Sequence, residues 1–275
     1  MAVSAPTASP GALAPLPPTR ATRYVTPLRE GGSLPGLVEG DDLGTWVVKF
    51  RGAGQGPGAL VAEAVAGELG RAAGLPIPEL RLIEIPAELG HAEPDPEIQE
   101  LIEASPGLNL AMDFLPGALP FTLDAPAAEG PAFDPALAAE IVLFDALITN
   151  IDRTPRNPNL LTWHGRTWLI DHGAAFFRQH GERPLAETAL APTPILRDHV
   201  LLPATDAAGL AAAGERLAGP HAAAIPAAVA APPDEWLGPD PAARREDFAA
   251  FLRRRLEGRD GFIAELTEPG GEADG

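Results

Sequence analysis

The chain has 275 residues, of which 45% are hydrophobic and 21% charged, proportions typical of a folded globular protein. Its formal net charge of −18 argues against broad binding to nucleic acids or to an anionic membrane surface, because like charges repel. Cysteine is absent, which excludes disulfides, thiolate catalysis and cysteine-ligated zinc. Since no apolar run approaches the roughly 18 residues that span a bilayer, we expect a soluble, cytoplasmic protein that binds neither nucleic acid nor membrane.

The first half of the chain predicts a small lobe of mixed strand and helix. Residues 1–20 are rich in proline and alanine without hydrophobic periodicity, so we interpret them as a disordered tail, with order beginning near Arg23. The lobe itself is expected over residues 21–118. Its apolar patterns predict, in chain order, strand 45–50, helix 58–73, strand 80–85 and strand 108–114.

The second half predicts a larger, mainly helical lobe over residues 119–270. Asp134 suits the N-cap of a long apolar helix. A polar, proline-interrupted loop at 150–159 follows that helix, and a hairpin of two short strands follows the loop. The remainder is expected to be mostly helical, with an alanine-rich stretch at 205–231 and a final helix from about Pro241. The expected fold class is therefore α+β, with two lobes.

Lys49 is the only lysine in the chain, so every other basic residue is an arginine. Such a bias is typical of a GC-rich coding sequence, which can still keep a lysine where arginine will not serve. Lys49 lies within the predicted strand 45–50, after a glycine-rich turn that contains Gly31 and Gly32. Its compact ammonium differs from the planar fork of arginine in reach and in hydrogen-bonding geometry.

Lys49 suits a role in phosphoryl transfer, and three polar residues further along the chain suit the same reaction. That reaction needs positive charge on the phosphates, a bridging metal ion and a carboxylate near the attacking hydroxyl. Lys49 would supply the charge, and glycines before it would let backbone N–H groups approach the phosphates. In the polar loop, Asp152 would supply a base and Asn157 a neutral oxygen ligand. Asp171, which follows the hairpin, would supply a carboxylate for Mg²⁺.

These residues and their neighbours resemble the HipA-like kinases, a bacterial branch of the protein-kinase-like fold whose members phosphorylate serine on proteins. The 150–159 loop is also similar to that of the phosphatidylinositol kinases, which run Asp-Arg-His and then Asn. The resemblance covers about residues 23–180 well and continues more weakly to the last helix. It is carried by the strand Trp46–Phe50, the segment Ala62–Glu79, the block Leu143–Asn157 and the run Leu169–Asp171.

The resemblance implies a bilobal fold and an ATP- and Mg²⁺-dependent kinase that transfers the γ-phosphoryl group to a protein serine or threonine. It implies that Asp152 is the catalytic base, that Lys49 binds the phosphates, and that Asn157 and Asp171 bind the metal. It also implies that Arg156 neutralises the transferred phosphate and that the backbone of Ala111, Met112 and Asp113 contacts adenine. Gly31, Gly32 and Ser33 are interpreted as a phosphate loop because they precede the strand of Lys49, although by themselves the glycines indicate only a turn. Glu63 is the implied ion-pair partner of Lys49. Glu68 stays open as an alternative, because the sequence does not show which of the two faces the cleft.

Several alternatives remain open at this point. Taken singly, Lys49 could be a surface residue of an edge strand, Asp152 a turn residue and Asp171 a helix N-cap. The chain departs from the family pattern at Thr154-Pro155, where a histidine is usual, and reads Asp-His-Gly from Asp171, although neither departure removes a base or a metal ligand. The alternative functions are a non-catalytic nucleotide-binding scaffold, or a kinase that acts on a small molecule or lipid headgroup.

Overall fold

The computed structural model describes residues 16–28, 34–54, 56–122 and 133–267. Within these ranges the protein is a mixed α+β structure, with a strand-rich first part and a mainly helical second part. Most predicted elements are present, and their ends differ from the predicted ones by at most about two residues. No helix in the described ranges is both long and apolar enough to cross a membrane.

Five strands close into a barrel in the order β1–β2–β3–β5–β4. They are β1 (Pro18–Pro27), β2 (Gly36–Gly40), β3 (Thr45–Lys49), β4 (Leu80–Ile85) and β5 (Gly107–Asp113). Alternate residues of β2 and β3 point into the barrel and are buried, among them Val38, Trp46 and Val48. Ile98 and Ile102 of helix α2 (Pro96–Glu103) belong to the same buried apolar cluster as these barrel residues.

Order begins before Arg23, because β1 begins at Pro18, so residues 18–20 are not part of a disordered tail. Residues 1–15 of the expected tail lie outside the described residues. Pro18, Thr19 and Arg20 pair in parallel with residues 82–84 of β4, and this pairing is what orders them. The partner strand lies far along the chain, so local composition could not reveal it.

Helix α1 (Gly56–Ala72) connects β3 to β4 and is buried along most of its length, from Leu60 to Gly70. Its small residues allow this close packing. A Cβ atom at Gly70 would lie 2.5 Å from the Cδ1 atom of Ile77 and 2.9 Å from the ring of Phe144. Gly74, at φ +89°, ends the segment, as the sequence predicts.

The second part begins with a two-residue strand and a helix that Asp134 caps through the N–H of Ala136. The elements in chain order are β6 (Leu119–Pro120), α3 (Pro135–Leu147), β7 (Leu160–Trp163), β8 (Arg166–Leu169), α4 (Ala207–Ala230), α5 (Pro241–Glu257) and α6 (Arg259–Thr267). The predicted final helix is thus two helices, separated at Gly258. A continuous apolar core joins α1, α3, α4 and α5, so α1 is packed against the helical part as well as the barrel.

Candidate active site

Lys49, the last residue of β3, forms two ion pairs. Its Nζ atom lies 2.6 Å from Oε2 of Glu63 and 2.7 Å from Oδ1 of Asp171. Burial disfavours the charged ammonium, but the two carboxylates outweigh burial, so the pKa of Lys49 is raised. The site therefore contains a permanent positive charge that is largely shielded from water.

The position of Glu63 in α1 decides between the two carboxylates that the sequence leaves open. Glu63 contacts Lys49, and although burial opposes its charge, the ammonium holds the pKa of Glu63 below its usual range. Glu68 lies five residues later, about 140° around the helix, where it pairs with Arg71 at 3.0 Å. Glu63 is thus the residue that faces Lys49, and Glu68 faces elsewhere.

Asp171 and its neighbour His172 come shortly after β8, and Asp171 has an uncommon backbone conformation. Asp171 has φ +55°, a left-handed value that non-glycine residues adopt at a cost. Its Oδ1 atom accepts the N–H of Gly173 at 3.4 Å as well as the Lys49 ammonium. His172 is buried beside Glu63, with Nδ1 3.6 Å from Oε1, and no hydrogen bond to its ring is found within the described residues. The turn therefore directs the Asp171 carboxylate towards Lys49.

Asp152 lies in the 150–159 loop, and two asparagine side chains hold its carboxylate. The Nδ2 atoms of Asn157 and Asn159 donate to Oδ2 of Asp152 at 2.8 Å and 3.3 Å. The Oδ1 atom of Asp152 has no hydrogen bond to any described residue. This arrangement fixes the carboxylate while leaving one oxygen available to a substrate.

The 150–159 loop is joined directly to the segment that carries Asp171. The N–H of Ile170 donates to the carbonyl of Asn159 at 3.0 Å. Arg153 donates to the carbonyls of both residues from within the protein. The residues expected to act as base and metal ligands, which are separate in the sequence, therefore belong to one connected structure.

Ala111, Met112 and Asp113, the residues expected to contact adenine, are the last three residues of β5. Ala111 and Met112 lie inside β5, which pairs with β3 on one side and β4 on the other, so the ladder already engages their backbone groups. The N–H of Asp113 donates to Glu79 at 2.9 Å. The first N–H beyond the strand with no backbone acceptor among the described residues is that of Leu115.

The structure gives less information on the other predicted site residues. Arg156 is exposed on the 150–159 loop and forms no ion pair with a described residue. Gly31, Gly32 and Ser33, the expected phosphate loop, lie outside the described residues.

The donor atoms fit a Mg²⁺ ion that is shared with bound phosphates. The described part of the chain contains no group of three histidine, aspartate or glutamate residues that could hold a metal by itself. Magnesium is usually held by one or two protein oxygens together with substrate phosphates. The carboxylate of Asp171 and the amide oxygen of Asn157, whose nitrogen is turned to Asp152, supply such oxygens.

Sequence reasoning missed three residues near this site, namely Asp145, Arg153 and His199. They form a buried polar network in which Arg153 and His199 both contact Oδ2 of Asp145. One signal was available, because Asp145 interrupts the apolar run Ile141–Leu147 within α3. A buried carboxylate needs a partner, and only the fold shows that Arg153 and His199 are among its partners.

Comparisons with known proteins agree with the chemistry of the site. A family model described as HipA-like kinase matches residues 22–258. Among solved structures, the crystal structure of a Helicobacter pylori proinflammatory kinase, CtkA, matches with a TM-score of 0.54 and 12% identity, covering 93% of this chain and 100% of that chain. At this identity the likeness shows the fold alone. No curated protein matches the sequence.

Proposed function

The chain belongs to the HipA-like kinase family and is a phosphotransferase, and we propose that it transfers the γ-phosphoryl group of ATP to a serine or threonine of a protein. The observation that carries this proposal is the meeting of Lys49 and Asp171, with the 150–159 loop hydrogen-bonded to the same segment. A positive charge, the oxygens that would bind the metal and a free carboxylate oxygen thus lie on connected segments, which supports phosphoryl transfer.

We propose that the nucleotide lies between two lobes. The barrel with α1 and α2 would form the small lobe, and the part from β6 onward the large one. Lys49 is at the end of β3 in the first and Asp171 follows β8 in the second, so a ligand that contacts both must lie between them. The N–H of Leu115, in the connection between the two parts, has no backbone acceptor among the described residues and would donate to the base of the nucleotide.

The roles of the residues follow from their charges and free atoms. Lys49, kept in place by Glu63, would bind the phosphates as a point charge. Asp171 and Asn157 would hold Mg²⁺, which when bound offsets negative charge on the phosphates. The free Oδ1 atom of Asp152 would accept the proton of the attacking hydroxyl. Arg156 is exposed and unpaired among the described residues, so it is free to approach the transferred phosphate.

The charge of the protein bears on the acceptor. A net charge of −18 disfavours approach to an anionic lipid headgroup, because the protein and the membrane would repel each other. A protein acceptor also agrees with the activity of the family that the sequence resembles, whose members phosphorylate serine on proteins. The experiment must distinguish transfer to a protein from transfer to a small molecule and from a scaffold that transfers no phosphate.

The test incubates the protein with γ-labelled ATP, Mg²⁺ and a cell extract, beside an Asp152→Ala control. We expect label in a protease-sensitive fraction that yields phosphoserine or phosphothreonine, at a level well above the control. Label that appears only in protease-resistant small molecules or lipids would contradict the proposed acceptor. Transfer no greater than in the control would contradict catalysis and favour a scaffold.

A further inference from the structure

Arg153 is a buried arginine that contacts three separate segments of the chain. It is 1% exposed, and its Nε atom donates to Oδ2 of Asp145 in α3. Its Nη1 atom donates to the carbonyl of Asn159 and, at 3.3 Å, to the carbonyl of Ile170. The carbonyl of Pro158 lies 3.5 Å from the same atom. One guanidinium therefore links the residues just after Asn157 to the residue just before Asp171.

The carboxylate of Asp145 is itself held in place by two further residues. Asn150 donates to Oδ1 from Nδ2 at 3.0 Å, and His199 contacts Oδ2 from Nε2 at 3.0 Å. The Nδ1 atom of His199 accepts the N–H of Leu201 at 3.0 Å, so in the neutral ring the proton is on Nε2 and points to Asp145. Burial alone would raise the pKa of Asp145, but Arg153 and His199 lower it below its usual range.

We propose that Arg153 is a positioning residue for phosphoryl transfer, which fixes the separation of the metal ligands Asn157 and Asp171 through the backbone carbonyls that it holds. The inference rests on the proposed function, since it assumes the roles of those two ligands. Arg153 touches none of the oxygens expected to bind the metal or the substrate, so its effect is indirect. Asp145 and His199 in turn fix the guanidinium.

The geometry explains why an arginine is needed at this position. A planar guanidinium presents five N–H donors in a rigid fork and can bind a carboxylate and several carbonyls at once. A lysine at 153 would keep the charge opposite Asp145 but could not span both carbonyl groups from a single ammonium. The segment before Asp171 would then lose one of its links to the 150–159 loop, although the bond from Ile170 to Asn159 would remain.

The test compares Arg153→Lys with Arg255→Lys. Arg255 is also buried, at 4% exposure, and donates to the backbone carbonyls of Ala146 and Ala189, so it is a matched control for the loss of a buried guanidinium. The first readout is the affinity for a non-hydrolysable ATP analogue at a series of Mg²⁺ concentrations, which needs no transfer. The second is the Mg²⁺ dependence of label transfer, and thermal unfolding is followed separately.

We expect Arg153→Lys to raise the Mg²⁺ concentration for half-maximal effect by about 10–100-fold, the range usual for residues that orient metal ligands. Arg255→Lys should lower the unfolding temperature and leave the Mg²⁺ dependence unchanged. Wild-type Mg²⁺ dependence in Arg153→Lys would overturn the proposal, and so would an equal change in Arg255→Lys. If the wild type binds the analogue with Mg²⁺ but transfers no label, the proposed function fails while the positioning role is still measured. If the wild type does not bind it, both fail.

A second pair of variants covers the case in which Arg153→Lys does not fold. His199→Phe removes the donor to Asp145, whereas His199→Gln keeps a side-chain N–H that can replace it. We expect His199→Phe to shift the Mg²⁺ dependence in the same direction as Arg153→Lys, by a smaller factor, and His199→Gln to restore part of it. An unchanged Mg²⁺ dependence in a folded His199→Phe protein would contradict the role given to the network.

Discussion

Lys49 and Asp171 are 122 positions apart in the chain, yet their Nζ and Oδ1 atoms lie 2.7 Å apart. The first residue ends a strand of the barrel, and the second follows a hairpin in the helical part. A backbone hydrogen bond from the N–H of Leu169, two residues before Asp171, to the carbonyl of Pro76 at 2.8 Å joins the same two parts. The site is therefore a product of the tertiary fold, and each charged group that we assign to it can be tested separately.

Lys49→Arg should lower phosphoryl transfer by orders of magnitude even though it keeps the positive charge. A guanidinium is larger and planar, and it must fit a buried space between Glu63 and Asp171 that is matched to an ammonium. Initial rates of label transfer measure the effect. Arg51→Lys is the matched control, because Arg51 is two residues away and pairs with Glu235 in a partly exposed position. A near-normal rate for Lys49→Arg would show that the lysine is not the phosphate ligand.

Glu63→Gln should weaken ATP binding and slow transfer, whereas Glu68→Gln should do neither. Both glutamates are 3% exposed and belong to α1, but only Glu63 contacts Lys49. Without that carboxylate, Lys49 keeps Asp171 as its only anionic partner in the described part of the chain and can be drawn away from the phosphates. Measurements of KM for ATP and of kcat for both variants test this difference. Equal effects from the two substitutions would mean that damage to the helix, and not the ion pair, is responsible.

Asp152→Asn should lower kcat by roughly 10²–10⁴-fold, the usual contribution of a general base. The amide keeps the shape of the carboxylate and can still meet Asn157 and Asn159, so the loop should hold its conformation. Affinity for Mg²⁺ and an ATP analogue, followed by calorimetry, should stay within a few-fold of the wild type. Loss of nucleotide binding together with activity would instead assign Asp152 to binding.

Asp145→Asn should destabilise the protein at neutral pH and flatten its unfolding profile in acid. The folded pKa of Asp145 is lowered, whereas an unfolded aspartate has a pKa of about 3.9. Its stabilising contribution is therefore complete above about pH 4 and is lost as the pH falls towards the folded pKa. Removing one member of a buried ion pair typically costs about 3–5 kcal/mol.

Urea unfolding at a series of pH values measures this effect. Glu140→Gln is the control, because Glu140 forms an exposed pair with Arg216 that should contribute only about 0–1 kcal/mol. Parallel free-energy profiles for the wild type and Asp145→Asn below pH 4 would show that Asp145 does not carry the acid dependence.

The sequence alone predicts the candidate polar residues of the site, because their residue types and order are local signals. Lys49 is conspicuous as the sole lysine, and Asp152, Asn157 and Asp171 follow predicted elements that the structure contains. The ion pair between Lys49 and Glu63 could not be separated from one with Glu68, since the choice depends on the rotation of α1 against the barrel.

Contacts between distant segments are what the sequence could not show. Pro18–Arg20 are ordered by a parallel strand far along the chain, and His199 reaches Asp145 from a segment with no periodic pattern. The strand pairing on both sides of Met112 likewise depends on β3 and β4 becoming the neighbours of β5. Local propensity has no access to such pairings, so the sequence did not predict them.

The most direct test of the account is a crystal structure of the protein with a non-hydrolysable ATP analogue and Mg²⁺. We predict that the Nζ atom of Lys49 contacts the phosphates while keeping its bond to Glu63, and that Asp171 and Asn157 bind the metal ion. The γ-phosphate should face the free Oδ1 atom of Asp152. A nucleotide bound elsewhere, or a metal held by other residues while Lys49 keeps only its present partners, would contradict the assignment of this site.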